Sequence, residues 1–129
     1  MVKRKLVLDT DVIVDVLRTG GGLMNDVVES VKKGGVGVYV SSVTVLELWA
    51  GESFVRQAEL IEGLLTNMMV IPLDTGLAKY IGEVKRGKEM GIQLSDLIIG
   101  ISAMWIKGEL VTKNKKHFEQ IPGIKFWKE

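Results

Sequence analysis

Short runs of β-branched and aliphatic residues recur along this chain, each followed by a stretch with helical spacing of apolar positions. That alternation constrains the fold more than any other feature. Leu6–Leu8, Val36–Val40, Met68–Ile71 and Leu110–Val111 read as strands, and Ile124–Phe126 as an edge strand. Between them, Val12–Leu17, Leu23–Lys33, Val43–Ala50, Ser53–Asn67, Leu77–Met90 and Leu94–Lys107 read as helices, and Lys113–Glu119 as a helical turn or loop. Glycines punctuate the pattern at Gly20-Gly21-Gly22, Gly34-Gly35, Gly51 and Gly91. Ser41 or Ser42 can cap the helix at Val43, and Ser95 the helix at Leu94. The last long helix is apolar nearly all round and is expected to be buried. Strands alternating with helices predict an α/β fold whose parallel sheet is covered on both faces.

Length and composition narrow the chemistry. At 129 residues with 47% apolar residues, the chain reads as a single domain, 1–129, with one real core. The longest apolar-rich stretch, Ile92 to Ile106, contains Gln93, Ser95 and Asp96 and is too short and polar to span a bilayer. Asp9 and Asp11 interrupt the apolar run behind the basic patch Lys3-Arg4-Lys5, so the expected setting is cytoplasmic, with no membrane partner. The absence of cysteine excludes disulfides, thiolate-held zinc, iron–sulfur clusters and thiol catalysis. His117 is the sole histidine, so a metal site within one chain must rely on oxygen ligands and hard cations such as Mg²⁺ or Mn²⁺. The net charge of +1 advertises no global basic field. Two local basic clusters, Lys113/Lys115/Lys116 and Lys85/Arg86/Lys88, are open both to a nucleic-acid role and to that of ordinary solvated faces.

Three carboxylates stand nearly alone in apolar surroundings. Asp9 ends the run Lys5-Leu6-Val7-Leu8-Asp9, Glu47 is the only charged residue between Gly34 and Gly51, and Asp96 the only one between Gly91 and Ile106. None has an obvious basic partner in its own run, and acids are rarely buried without one. Ligands of open parallel sheets bind beyond the carboxyl ends of the strands. Asp9, Glu47 and Asp96, with Asn114 and His117 after the Leu110 strand, can all reach that edge. Three converging acids repel one another, and a divalent cation relieves the repulsion while supplying the chemistry of phosphodiester hydrolysis. Thr10, Ser41, Ser42, Thr112 and Asn114 could hold waters around the ion. Blander roles stand beside these: Asp9 as a helix cap, Glu47 as a solvent-facing residue, Asp96 and Asp11 as first-turn partners of a helix dipole, Asp15 as a solvated helix position.

Four segments resemble, in order, the motifs of PIN-domain ribonucleases: Leu8-Asp9-Thr10-Asp11-Val12-Ile13-Val14-Asp15, Val40 to Leu48 around Glu47, Leu94-Ser95-Asp96-Leu97-Ile98-Ile99-Gly100, and Leu110 to Phe118. The small size is similar to that of VapC toxins of toxin–antitoxin pairs. This resemblance implies a three-layer α/β/α sandwich around a parallel sheet of about five strands. It implies an Mg²⁺- or Mn²⁺-dependent endoribonuclease that hydrolyses RNA with a metal-activated water. Asp9, Glu47 and Asp96 carry over as metal ligands, Thr112 and Asn114 as polar site residues. Lys113, Lys115 and Lys116 are candidates for binding RNA phosphates. A homodimer, and inhibition by a small VapB-type antitoxin, are implied as well. One departure stands out: many relatives carry a fourth acid in the last motif, where this chain has Asn114 and His117. His117 can contact RNA or pack beside Phe118. The departure also motivates the alternative of a non-catalytic module that binds RNA or a protein. A phosphatase or receiver-like α/β domain fits less well, because Asp9-Thr10-Asp11 lacks a glycine-rich turn after it and no late-strand lysine is evident.

Overall fold

A computed structural model describes residues 4–128 of the chain; Lys3 of the N-terminal basic patch lies outside them. Four strands form one sheet among the described residues: β1 (Arg4–Leu8), β2 (Val36–Ser41), β3 (Met69–Ile71) and β4 (Glu109–Val111). The spatial order is β3-β2-β1-β4, and every pairing is parallel. The chain therefore steps from β1 outward through β2 to β3, then crosses back to lay β4 on the other flank of β1. The carboxyl ends of β1 and β4 thus form a topological switch point, where the connecting segments leave in opposite directions and open a crevice.

Helices α1 (Thr10–Thr19) and α2 (Leu23–Lys33) join β1 to β2. Helices α3 (Ser42–Ala50) and α4 (Glu52–Thr66) join β2 to β3, and α5 (Thr75–Gly87) and α6 (Leu94–Trp105) join β3 to β4. A last short turn, α7 (Lys115–Phe118), follows β4. Two apolar clusters line the two faces of the sheet. Leu6 and Leu8 point into one with Val12, Ile13, Leu17, Val27 and Ile61; Val7 points into the other with Leu77, Leu97, Ile99, Ile101, Phe118 and Ile121. The alternation along β1 is the period-two geometry of a strand with both faces covered. Helix α6 is buried continuously from Leu97 to Ala103, as its all-round apolar character predicts.

Several boundaries depart from the sequence reading. The expected strand at Ile124–Phe126 shrinks to a single parallel bridge, Leu110 to Phe126. Its two backbone bonds are Leu110 N–H to the Lys125 carbonyl at 2.8 Å and Trp127 N–H to the Leu110 carbonyl at 2.9 Å. Just before this bridge the chain turns through Gly123, at φ 80°, and the Ile124 N–H bonds to the Ile121 carbonyl at 3.3 Å. Helix α5 begins before its first apolar residue because Asp74 accepts from the Leu77 N–H at 2.9 Å and caps it, and it ends at Gly87, where Lys88 turns extended, ahead of Gly91. Ser41 provides the α3 cap, accepting from the Val43 N–H at 3.1 Å. Ser95 does not cap α6: it lies inside the helix, with Gln93 at the cap position. None of the helices among the described residues is long and apolar enough to cross a membrane.

Candidate active site

Asp9 is the first residue beyond β1. Pairing of Leu8 with Val111 sets Asp9 beside Thr112, and the Asp9 N–H continues the ladder to the Val111 carbonyl at 3.0 Å. The backbone of Asp9 occupies the cap position of α1, yet its carboxylate completes no capping bond. Instead Oδ2 accepts from Thr112 Oγ1 at 2.8 Å, inside a pocket that leaves Asp9 only 3% exposed. Burial pushes the Asp9 carboxyl up to about 6. The Thr112 hydroxyl pulls against that rise; the charges of Asp11 and Asp96 add to it, and the Asp11 backbone N–H opposes it. No cation stands among these influences, so Asp9 is a buried carboxylate facing other acids and stabilised chiefly by one neutral hydroxyl.

Glu47 approaches from α3. Thr10 Oγ1 donates to Glu47 Oε1 at 2.7 Å and sits 2.9 Å from Thr44 Oγ1, which must then donate to Thr10. Thr44 and Glu47 are three residues apart and so share a helical face. Thr44 is fully buried and Glu47 half-buried. The start of α3 is pinned by Ser42, whose Oγ donates to the Ile71 carbonyl and accepts from the Leu73 N–H, each at 3.1 Å. Thr44 is the one residue of this relay that the sequence reading did not single out; the Thr44-x-x-Glu47 spacing was the available signal.

Asp96 lies in the first turn of α6 and is half-buried. Its Oδ2 stands 2.9 Å from His117 Nε2, and the His117 ring meets Phe118 edge-on at 5.6 Å and 84°. His117 thus packs beside Phe118, one of the two roles the sequence left open, and in addition holds an acid 21 residues away. Asn114 serves the opposite side. Its N–H donates to Thr112 Oγ1 at 3.0 Å and its side-chain amide reaches Asp11 Oδ2 at 3.4 Å. Lys113 pairs with Asp15 on α1, whereas Lys115 and Lys116 are exposed on α7.

The crevice therefore contains Asp9, Thr112, Asn114 and Asp11 in one hydrogen-bonded group, Thr10, Thr44 and Glu47 in a second, and Asp96 with His117 in a third. Adjacent residues 9 and 10 link the first two groups, and the Asp9–Asp96 repulsion links the first and third. As the side chains lie, no three acids or imidazoles among the described residues close around a single point. Glu47 is turned to Thr10 and Asp96 to His117. The donor set still fits a hard divalent cation: it is built of carboxylate, hydroxyl and amide oxygens, and it surrounds a buried acid that lacks a counter-charge. Of the three acids expected to share such an ion, Asp9 lies within the electrostatic reach of Asp96, while Glu47 is bonded to Thr10, the residue next to Asp9.

Comparison with solved structures shows the same fold elsewhere. A chain in the DNA-bound VapBC of Salmonella typhimurium superposes with a TM-score of 0.79 at 23% identity, covering 96% of this chain and 97% of that one. VapBC2 of Rickettsia felis, bound to a DNA fragment from its promoter, gives 0.78 at 23% identity, with 96% and 99% covered. FitAcB of Neisseria gonorrhoeae gives 0.69 at 22%, with 95% and 96% covered. No curated protein sequence matches the chain significantly. The family model described as PIN domain matches residues 6–124, a span that carries all four acidic and polar motifs, the last three residues of β1 and the whole of β2, β3 and β4, and on that match the chain belongs to the PIN-domain family.

Proposed function

We propose that this PIN domain, residues 1–129 as one unit, is a divalent-metal-dependent endoribonuclease and the toxin of a VapBC-type pair. The observation that carries the reading is the buried, uncompensated Asp9 at the switch point, with Asp96 close enough to raise its carboxyl and Glu47 joined to it through Thr10. Asp9, Asp96 and Glu47 would hold Mg²⁺ or Mn²⁺. A bound ion of this kind acidifies a water and neutralises charge developing on a phosphate. The remaining work belongs to the chain. Thr112 fixes the Asp9 carboxylate, Asn114 braces Thr112 and Asp11, and exposed Lys115 and Lys116 receive backbone phosphates of RNA. Lys113, engaged by Asp15, contributes less to that contact.

The structural relatives in VapBC complexes support a small antitoxin as partner. An apolar groove of about 240 Å³ between α2 and α4, lined by Met24, Val28, Val31, Leu64 and Met68, is suited to apolar side chains of such a segment. A homodimer and a cytoplasmic setting complete the proposal. The test is cleavage of RNA in Mg²⁺ or Mn²⁺, with chelation by EDTA and Asp96→Asn as controls. Loss of cleavage in both is expected; undiminished cleavage by Asp96→Asn refutes the site. The replacement of a fourth acid by Asn114 and His117 favours one second reading, a non-catalytic module. RNA or partner binding without cleavage of any RNA would select it.

A further inference from the structure

We propose that His117 is a positioning residue that fixes the orientation of Asp96 for cation binding. The inference rests on the metal-site reading above and concerns a residue that reading leaves without a role. Asp96 accepts at Oδ2, so the bonded nitrogen of His117, Nε2, is the one that carries hydrogen. A carboxylate on the first turn of a helix is free to rotate about two side-chain bonds. A donor at 2.9 Å from Oδ2 removes that freedom and leaves the other oxygen available to an ion. Carboxylates that hold metals are themselves held in this way by neighbouring donors. An acid at position 117 would add negative charge to a site already crowded with it; an imidazole N–H steers Asp96 and adds none.

The imidazole is itself held in place. Helix α7 has four residues, too few to persist alone. Phe118, 1% exposed, and Ile121 anchor it to α6. They reach α6 at Gly100, four residues after Asp96 and so on the same helical face. A Cβ at Gly100 would overlap the Ile121 methyl and press on Phe118 and Ile124, both at 3.3 Å. The bare backbone at Gly100 is what lets α7 approach closely enough for His117 to meet Asp96. Meanwhile the pair itself is half in solvent, with side chains 40% and 27% exposed. Pairs this exposed contribute little to folding, which argues for a positional rather than a stabilising role.

Because His117 is the only histidine, untagged protein gives one imidazole in long-range ¹H–¹⁵N spectra. In EDTA-treated protein the Nε2–H tautomer is expected to dominate, and to give way to a mixture in Asp96→Ala. Mn²⁺ binding, measured by calorimetry on the whole chain, is expected to weaken about 10- to 100-fold in His117→Ala. The urea midpoint of that variant is expected to stay near the wild-type value. His117→Gln, which keeps an N–H donor of similar reach, is expected to recover most of the affinity. Wild-type Mn²⁺ affinity in His117→Ala overturns the proposal, as does an Nδ1–H tautomer or failure of His117→Gln to rescue a folded protein. Mn²⁺ binding that depends on His117 in a protein that cleaves no RNA leaves this proposal standing and removes the nuclease reading. RNA cleavage with Mn²⁺ affinity indifferent to His117 does the reverse. A wild-type chain that binds no Mn²⁺ refutes both.

Discussion

Replacing Asp9 by Asn should make the metal-free protein more stable at neutral pH, although it removes a residue placed at the centre of the site. The Asp9 carboxyl titrates near 6 in the folded chain against an ordinary value of 3.8. A folded-state pKa raised in this direction gives stability that is present below about 4 and is lost as pH rises through about 6. At about 1.4 kcal/mol per unit, the ionised Asp9 costs the fold about 3 kcal/mol at pH 7.5. Asn keeps an oxygen for Thr112 but leaves its amide protons seeking a partner, which returns about 1–2 kcal/mol of that gain. The net effect at pH 7.5 is about 1–2 kcal/mol of stabilisation, or on the order of 5 °C in Tm for a domain of this size. Most of the wild-type loss falls between pH 4 and pH 6. The gap between variant and wild type should therefore widen in favour of the variant by about 2 kcal/mol from pH 4 to pH 7.5. Urea titrations of both proteins in EDTA across that range measure the gap directly. A gap that does not change with pH refutes the reasoning, whatever its absolute size. Adding Mg²⁺ should reverse the order at neutral pH, since a ligand at 100 times its Kd stabilises the native state by about 2.7 kcal/mol, and the variant lacks one of the carboxylates proposed to hold the ion.

Three further outcomes test other parts of the structure. Thr112→Val, which strips a charge-assisted hydrogen bond from buried Asp9, should cost about 1.5–3 kcal/mol in urea unfolding at pH 7.5, with Thr112→Ser close to wild type. On the apolar helix α6, Ser102 carries a buried hydroxyl with no hydrogen-bond partner among the described residues, so Ser102→Ala should leave RNA cleavage intact and stabilise the fold by about 1 kcal/mol in the same assay. Lys115→Ala with Lys116→Ala should weaken RNA binding and flatten its salt dependence by about two phosphates' worth of slope in fluorescence anisotropy, while Lys113→Ala, already paired with Asp15, changes the slope less.

The sheet and its helices were legible because their signals are local. The apolar run at Leu6–Leu8, the β-branched Val36–Val40 and the glycine stops need no knowledge of the rest of the chain. Helix α5 departs from its periodicity at both ends because its limits depend on an Asp74 cap three residues before the first apolar position and on an extended Lys88, neither of which periodicity reveals. The edge strand shortened because the turn through Gly123 closes on its first residue, the Ile124 N–H bonding to the Ile121 carbonyl. Asp9 was legible as a carboxylate in an apolar setting, and it is buried. Glu47 and Asp96, equally isolated in sequence, are only half-buried, because amphipathic and first-turn positions leave an acid at the helix edge. The His117–Asp96 and Lys113–Asp15 pairs could not be read at all. They arise from how α7 and its preceding loop dock onto α6 and α1, and such contacts leave no periodic trace.

The two apolar clusters on opposite faces of the sheet bear on how this site fails. Thr10 arrives on a helix seated on one cluster, Asp96 and His117 on elements seated on the other, and Asp9 with Thr112 on the strand ends between them. The site is thus a joint across three layers, and its alignment is a property of their registration rather than of any one of them. Ile61 and Ile99 are fully buried, one in each cluster, and take no part in the hydrogen bonds of the site, yet a methyl removed from either lets one layer settle differently against the sheet and shifts the site residues that layer carries. The alignment of the site is the first casualty of slack in either core, lost while the chain is still folded.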